Sequence, residues 1–460
     1  MKSLITNILF QFILKKIPLT IRHYLHHPLV SLSPFLLFLS LSPFLLVPLS
    51  VSAQQKTFHQ EDVWSIFIKD SKKAAYELKT SVPAEKYKPY FSVTPYIGYN
   101  PAYGMLIGVG STIGMYLGDL SRTPLSSAVV GASYTTQNQL LLTLRTNLIA
   151  DSSRYILRGD WRCLLFSQPT YGLGSGQGFQ RSGGVILDDG GQTNAIMGDE
   201  QPIDYNYVRL YESFYFKITK KLYAGLGYNL DHYWKIVDTK LNLDTIPPDT
   251  TYHWTYCKEN GFDTAKYTVS GLSFELLLDT RDNTIRPTKG MLANIAFRPN
   301  FTWLGSSKSS WMVNTEFRTY KSLSKERPDH LIGFWYIGQF TQKGKVPYLA
   351  LPAIGWDMYN RTGRGYIQGS IRGVNFVYGE VEYRFPISRY TGILSGVAFF
   401  NVTTASNQSG TQKLFEYYDP AGGAGLRIMF NRTTLSNLTI DLAMGSMKKL
   451  AVYFNLNETF

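Results

Sequence analysis

From Tyr90 onward, apolar side chains recur at every second position through segment after segment, and any fold of this chain must satisfy that period of two. In Asp204–Ile218, Val208, Leu210, Phe214, Phe216 and Ile218 fall on one face, with Arg209, Tyr211, Ser213, Tyr215 and Lys217 on the other. Glu212 sits on the apolar side as an exception. Lys221–Trp234 repeats the pattern, with Leu222, Ala224, Leu226, Tyr228 and Leu230 opposite Tyr223, Gly225, Gly227, Asn229 and Asp231. Successive side chains of a strand point to opposite faces, so these are two-faced strands.

A soluble sandwich would bury the apolar face, and a membrane barrel would turn it to lipid. The segments are long enough to cross a bilayer when tilted, which takes about 9–11 residues. Their polar face offers glycine, tyrosine and charge, which suits a wet lumen. The expected strands are residues 89–99, 103–117, 123–136, 138–150, 152–166, 203–218, 221–234, 266–280, 290–303, 307–322, 329–342, 373–387, 391–402, 421–431, 436–444 and 449–460. That is an even set of about sixteen antiparallel strands. The long connections, 167–202, 235–265, 343–372 and 403–420, all follow odd-numbered strands. With the amino end in the periplasm they lie outside the cell, above short periplasmic turns, as in a membrane barrel. The fold class expected is all-β, a transmembrane antiparallel barrel.

The chain opens with Lys2, Lys15, Lys16 and Arg22, followed by an apolar tract from Leu29 to Ala53 with no acid before Glu61. Small residues at Val51 and Ala53 predict a secretory signal cleaved before Gln54. Pro34, Pro43 and Pro48 argue against a stable spanning helix in the tract, whose length leaves an uncleaved anchor as the alternative. The expected organisation is a signal peptide over 1–53, a short periplasmic segment over 54–88 and a barrel over 89–460. In the short segment Val63, Trp64, Phe67, Ala74, Ala75 and Leu78 outline an amphipathic helix suited to docking.

The formal charge is +13. Losing the signal removes four of those charges and leaves a basic excess spread along strands and loops, with no Lys/Arg block of the nucleic-acid type. The expected partners are outer-membrane lipid and lipopolysaccharide, with no nucleic acid. Cys163 in a strand and Cys257 in a loop have no CxxC or Cys/His cluster around them, so no metal site is indicated, and two unpaired thiols are expected, with a single disulfide between them as the alternative.

Catalytic and cofactor motifs are absent: no GxSxG, HExxH, P-loop or GxGxxG match occurs after the signal. No cofactor and no enzymatic activity are expected; the alternative would pair His232 or His253 with a loop serine. The glycine-rich "YGLGSGQGFQRSGG" from Tyr171 reads as a mobile outer loop.

Two stretches carry a family resemblance, "LLLDTRDNTIRPTKG" (Leu276–Gly290) and "GRGYIQGSIRGVNFVYGEVEYRFPI" (Gly363–Ile387). They resemble the outer-membrane protein assembly superfamily, which includes the barrel subunits of the BAM and TAM machines, two-partner secretion transporters and bacterial surface antigens. Asp279, Arg281, Asp282, Pro287 and Gly290 look like the family's turn between its eighth and ninth strands. Arg364, Gly365 and Tyr366 match the arginine-glycine-aromatic tip of the sixth outer loop, which folds back into the lumen, and "EYRFPI" matches the strand that receives it. "YFSVTPYIGYNPAYGMLIGVG" is similar to the first hairpin. Val452, Phe454, Leu456 and Phe460 resemble the C-terminal barrel signal, although Glu458 and Thr459 depart from it. The resemblance covers residues 89–460 as a barrel of the bacterial surface antigen type, and residues 54–89 are too short for the periplasmic repeat domains of the assembly machines.

The tip has a physical rationale of its own. A guanidinium drawn into the lumen can pair with a carboxylate where water is scarce and brace a long loop. Alternation puts Glu380, Glu382 and Arg384 on one face of their strand. The family pattern supplies an acid on the next strand, where this chain has Asn401, and a glycine where it has Thr403. The alternative is a solvated Arg364. The resemblance implies insertion, translocation or remodelling of client outer-membrane or exported proteins, or of lipids, through a seam between first and last strands. A passive pore or a structural surface antigen with a plugged lumen is the alternative function.

Overall fold

The computed structural model describes residues 60–68, 85–100, 104–176 and 200–460, apart from 285, 359, 389, 409, 433–434 and 447–449. The expected signal over 1–53 lies outside the described residues. The strands are Tyr90–Asn100 (β1), Gly104–Met115 (β2), Ser126–Thr135 (β3), Leu140–Ala150 (β4), Tyr155–Thr170 (β5), Gln201–Lys217 (β6), Leu222–Asp238 (β7), Lys266–Asp279 (β8), Gly290–Asn300 (β9), Ser310–Ser322 (β10), Leu331–Gly344 (β11), Asn375–Pro386 (β12), Leu394–Ala405 (β13), Asp419–Asn431 (β14), Ser436–Gly445 (β15) and Leu450–Leu456 (β16). They form one 16-stranded sheet in sequence order, each strand paired antiparallel to the next. β1 and β16 come side by side, so the sheet rolls into a barrel, yet no ladder joins them among the described residues.

The barrel is inside-out. Leu210, Phe214, Phe216, Leu226, Phe274, Leu276, Ile295, Val381 and Phe400 point outward and are exposed, as an apolar belt facing hydrocarbon requires. The opposite parity of the same strands buries Asp160, Arg162, Arg209, Asp231, Glu275, Arg298, Glu380 and Glu382 within the lumen. Glu212 is on the outward face of β6, where Oε2 accepts from Trp161 Nε1 of β5 at 2.9 Å.

The connections after odd-numbered strands, the long 239–265, 345–374 and 406–418 among them, lie at one end, and those after even-numbered strands, none of them long, lie at the other. A helix, Tyr252–Asn260 (α2; α1 is the short Val63–Phe67), forms within 239–265. Its Thr251 N-cap accepts from Trp254 N at 3.2 Å, and Gly261 closes it at φ 60. Cys257 therefore sits in a helix, whereas the sequence reads as a loop there.

The lumen is more densely packed than a wet pore would be. Tyr205, Tyr207, Tyr233, Tyr256, Tyr267, Tyr348 and Trp356 form a buried aromatic layer near the long-loop end, and Tyr320, Trp335, Tyr378 and Phe460 form another. Beside the first lies a polar cavity of about 220 Å³, lined by Tyr233 and Trp356 of that layer and among others by Arg209, Asp231, Glu275, Arg298 and Glu316. Alternation reveals which face is polar, but not that a loop will fill the space those faces enclose.

The glycine-rich stretch is held in place over its described part. Gly174 N donates to Arg372 O at 2.8 Å, Ser175 Oγ to Tyr417 O at 2.8 Å and Gly176 N to Asp419 Oδ2 at 2.9 Å. Its remainder, residues 177–184, lies outside the described residues. The expected amphipathic helix is described only as Val63–Phe67 (α1), with Asp62 as N-cap. It lies against two turns at the short-turn end: Glu61 N donates to Thr391 O at 2.7 Å, Arg432 N to Asp62 Oδ2 at 3.3 Å, and Trp64 meets Phe430 edge-on.

Candidate functional site

The segment between β11 and β12, residues 345–374, enters the barrel and is pinned at three levels. Arg372, wholly buried, donates from Nη1 to the carbonyls of Tyr348, Leu349 and Leu351, which curls the loop on itself. Deeper, Arg162 of β5 donates to Asp357 O at 2.6 Å, to Met358 O at 3.1 Å and to Asn360 Oδ1, and Arg209 of β6 donates to Trp356 O at 3.3 Å. Asp160 holds the Arg162 guanidinium from below at 2.6 Å. No sequence signal marked Arg162, Arg209 or Arg372, because an inward arginine on a strand looks the same whether it meets water or a loop.

The third level is the tip. Arg364 Nη2 donates to Glu380 Oε1 at 2.7 Å and also to Glu382 Oε2, and Nη1 donates to Asp441 Oδ2 on β15 at 2.9 Å. The guanidinium lies over the Phe399 ring, 3.4 Å from its centroid. Asn401 donates to Arg364 O at 3.0 Å and to Glu380 Oε2 at 3.4 Å, so the amide supports the tip backbone. Thr403 is buried with no hydrogen bond for its hydroxyl among the described residues. The charge that the next strand lacks comes from Asp441, three strands away from the receiving strand β12.

Gly365 and Tyr366 complete the tip. Gly365 has φ 103, and a Cβ there would come within 2.8 Å of Ala421 Cβ and 3.0 Å of Gly445 N, so only glycine fits the approach. Its N–H donates to Tyr453 Oη of β16 at 2.9 Å, and that hydroxyl donates to Tyr366 O at 3.2 Å. The Tyr366 hydroxyl donates to Pro420 O at 2.6 Å.

Below the tip, Arg384 Nε donates to Glu382 Oε1 at 2.6 Å. Arg427 of β14 donates from Nη1 to Asp441 Oδ1 at 2.5 Å and from Nε to Glu458 Oε2 at 2.8 Å. The alternation that the sequence carries to Phe460 stops at Leu456. Val452 and Phe454 remain in β16, but Asn457 at φ 71 turns the chain inward, and Glu458, Thr459 and Phe460 are buried in the lumen. The Phe460 ring lies 5.4 Å from Trp335 and 6.0 Å from Tyr320, and its carbonyl accepts from Arg384 Nη2 at 2.8 Å. The pairing with Arg384 and Arg427 draws Glu458 inward, which a period-two reading cannot show.

The β8–β9 turn lies at the short-turn end. Arg281 lies in a two-pronged pair with Asp279, Asp282 accepts from Thr288 N and Lys289 N, and Pro287 is buried. Gly290, at φ 94, has no room for a Cβ, which would lie 2.3 Å from Thr280 O. The turn is also tied to its neighbours: Arg286 lies 3.7 Å from Asp329 of the β10–β11 turn, and Thr284 Oγ1 donates to Leu125 O at 3.3 Å.

Of the histidines considered for catalysis, His232 bonds Thr268 on the neighbouring strand at 2.8 Å. His253 of α2 lies between Asp238 at 2.7 Å and Cys257 Sγ at 3.4 Å. The order is that of a nucleophilic triad, but His253 and Cys257 are wholly enclosed, and burial pushes the Cys257 thiol up to about 12. This trio fixes α2 to β7 rather than presenting a thiolate. Cys163 faces outward and is unpaired, like Cys257.

An antiparallel sheet rolled into a barrel, with an apolar outer belt and a loop folded into its lumen, is an outer-membrane β-barrel. Residues 198–460 match the Omp85 superfamily domain, and the chain belongs to that superfamily. It is similar in structure to BamA from Haemophilus ducreyi lacking POTRA domains 1-3, at 14% identity over 81% of this chain and 70% of that one, with a TM-score of 0.49. CdiB from Acinetobacter baumannii is similar at 12% identity over 89% and 72%, with a TM-score of 0.45. CdiB from Escherichia coli is similar at 10% over 82% and 63%, with a TM-score of 0.47. No curated protein matches the chain.

Proposed function

We propose that this barrel inserts, translocates or remodels proteins or lipids at the outer membrane by opening the seam between β1 and β16. The observation that carries this reading is the seam itself: fifteen neighbouring strand pairs share ladders, while β1 and β16 meet without one among the described residues. β16 is also short, 7 residues against 11 in β1. Unpaired edges offer main-chain donors and acceptors to an incoming strand. Only positioning is required, with no covalent step. Residues 1–53 act as the export signal, 54–88 form a short periplasmic segment whose helix α1 rests against the barrel, and the clients are outer-membrane or exported proteins in contact with lipid and lipopolysaccharide.

The filled lumen supports a second reading, a plugged structural surface antigen whose seam stays shut. Reconstitution of the purified protein in liposomes separates the two. The first reading expects low ion conductance together with faster folding of a second barrel protein added to the vesicles. If the second barrel folds at the rate of empty vesicles, the first reading is wrong.

A further inference from the structure

We propose that the loop tip and the segment after β16 form one latch across the seam, so that loop release and seam opening are a single event. This rests on the seam-opening reading above. Three carboxylates are each shared between two or more guanidiniums. Glu382 serves Arg364 and Arg384, with Arg427 at 3.9 Å, Asp441 serves Arg364 and Arg427, and Glu458 serves Arg427 at 2.8 Å and Arg384 at 3.8 Å. Asn437 Nδ2 donates to Glu458 Oε1 at 2.6 Å. All six charged groups of this chain of pairs are buried.

The chain of pairs runs from the loop tip through β12, β14 and β15 to residue 458, and two further contacts bind β16 and the residue that follows it. Tyr453 of β16 clasps the tip backbone at Gly365 and Tyr366, and Asn457 Nδ2 donates past β1 to Thr112 Oγ1 of β2 at 3.3 Å. Peeling β16 from the barrel therefore drags Glu458 away from Arg427 and Arg384 and breaks the Tyr453 clasp. Withdrawing the loop leaves Glu382 and Asp441 without one of their partners. A buried charge that loses its partner is costly, and shared partners make the losses cooperative. Coupling of this kind is reciprocal: loosening either end loosens the other by the same factor.

Hydrogen–deuterium exchange on the full chain in lipid nanodiscs tests this with Arg364→Ala, Glu458→Gln and, as a control at the base of the same loop, Arg162→Ala. Arg364→Ala is expected to speed exchange about tenfold or more at residues 361–368 and also in β16, and Glu458→Gln to do the same at both places. Arg162→Ala is expected to loosen residues 356–360 and leave β16 unchanged. If Arg364→Ala and Glu458→Gln each speed only their own element, the latch is refuted. If Glu458→Gln gives no heat-modifiable folded band, Phe460→Ala, which removes the ring seated against Trp335, carries the same expectation. The client-folding assay is scored separately: coupled exchange with no client folding overturns the proposed function and leaves the latch, and local exchange with intact client folding does the reverse.

Discussion

Arg364, at the tip of the loop between β11 and β12, donates to Asp441 of β15 at 2.9 Å across 77 residues of sequence. With Glu380 and Glu382 on β12, the pair spans the lumen side of four consecutive strands, so the loop is tied to the wall beside the seam rather than to one receiving strand.

Arg364→Ala leaves Glu380, Glu382 and Asp441 facing one another without their common cation. Breaking a buried pair in this way costs about 3–5 kcal/mol. The expected outcome is a loop cut readily by protease in a barrel that still shows a heat-modifiable gel shift. Arg364→Lys should not restore protection, since an ammonium cannot reach three carboxylates with a planar fork. Protease resistance equal to the parent's in both variants would mean that the tip is held by Tyr366 and the backbone alone.

Asp441→Asn and Asn401→Ala divide the labour among the tip's partners. Asp441 bridges two guanidiniums, so its neutral replacement should expose the loop to protease nearly as fully as Arg364→Ala does. Asn401 donates one neutral hydrogen bond, to the Arg364 carbonyl, worth about 0.5–1.5 kcal/mol, and a long one to Glu380 at 3.4 Å, and it carries no charge of its own, so its loss should increase nicking less than Asp441→Asn does. Equal nicking of the two variants would place the tip's hold in Asn401's bond to the Arg364 carbonyl rather than in the charge pair.

Much of the fold was legible because a β-barrel repeats one local rule. Phe214 and Tyr215 take opposite fates by parity alone, and the long connections announced their shared end. What was not legible arises between elements distant in sequence. Asp441 alternates correctly into the lumen, but nothing local says that it meets residue 364. Phe460 continues an apolar alternation and yet turns inward, because Glu458 two residues earlier finds Arg384 and Arg427. Tyr171–Gly176 has the composition of a free loop and is instead anchored by Arg372, Tyr417 and Asp419.

The two cysteines should differ sharply in reactivity. Cys257 is wholly buried, and its thiol is pushed up to about 12 by that burial, while Cys163 is exposed on the outer face of β5. At pH 8 in detergent, a maleimide should label Cys163 in the folded barrel and reach Cys257 only after heating in SDS. Labelling of Cys257 in folded Cys163→Ser protein would show that α2 opens away from the barrel.

Loop length and strand parity predict the orientation in the membrane. Thr250 lies in the long connection between β7 and β8, and Lys325 in the turn between β10 and β11, at opposite ends of the barrel. An epitope inserted after Thr250 should be reached by antibody on intact cells, and one after Lys325 only after the outer membrane is permeabilised. The reverse pattern would invert the barrel and put the seam latch's loop on the periplasmic side.

Glu212 breaks the apolar belt, and its energetic sign can be predicted. It sits on the outward face of β6 between Leu210 and Phe214, both exposed. Its Oε2 accepts from Trp161 of β5 at 2.9 Å, while Oε1 is buried with no donor among the described residues. A carboxylate against lipid is unfavourable, though less so than a lysine or arginine at the same depth, and the Trp161 bond returns about 1 kcal/mol of that cost. Replacement by leucine removes both terms and fills the belt, so Glu212→Leu should be neutral or stabilising by roughly 0–2 kcal/mol in urea titrations of the barrel in lipid vesicles. Trp161→Phe alone should destabilise, because it strips the carboxylate of its donor and leaves the charge in place. If Glu212→Leu instead loses more than about 1 kcal/mol, the Trp161–Glu212 bond is a structural tie between β5 and β6 that outweighs the cost of facing lipid.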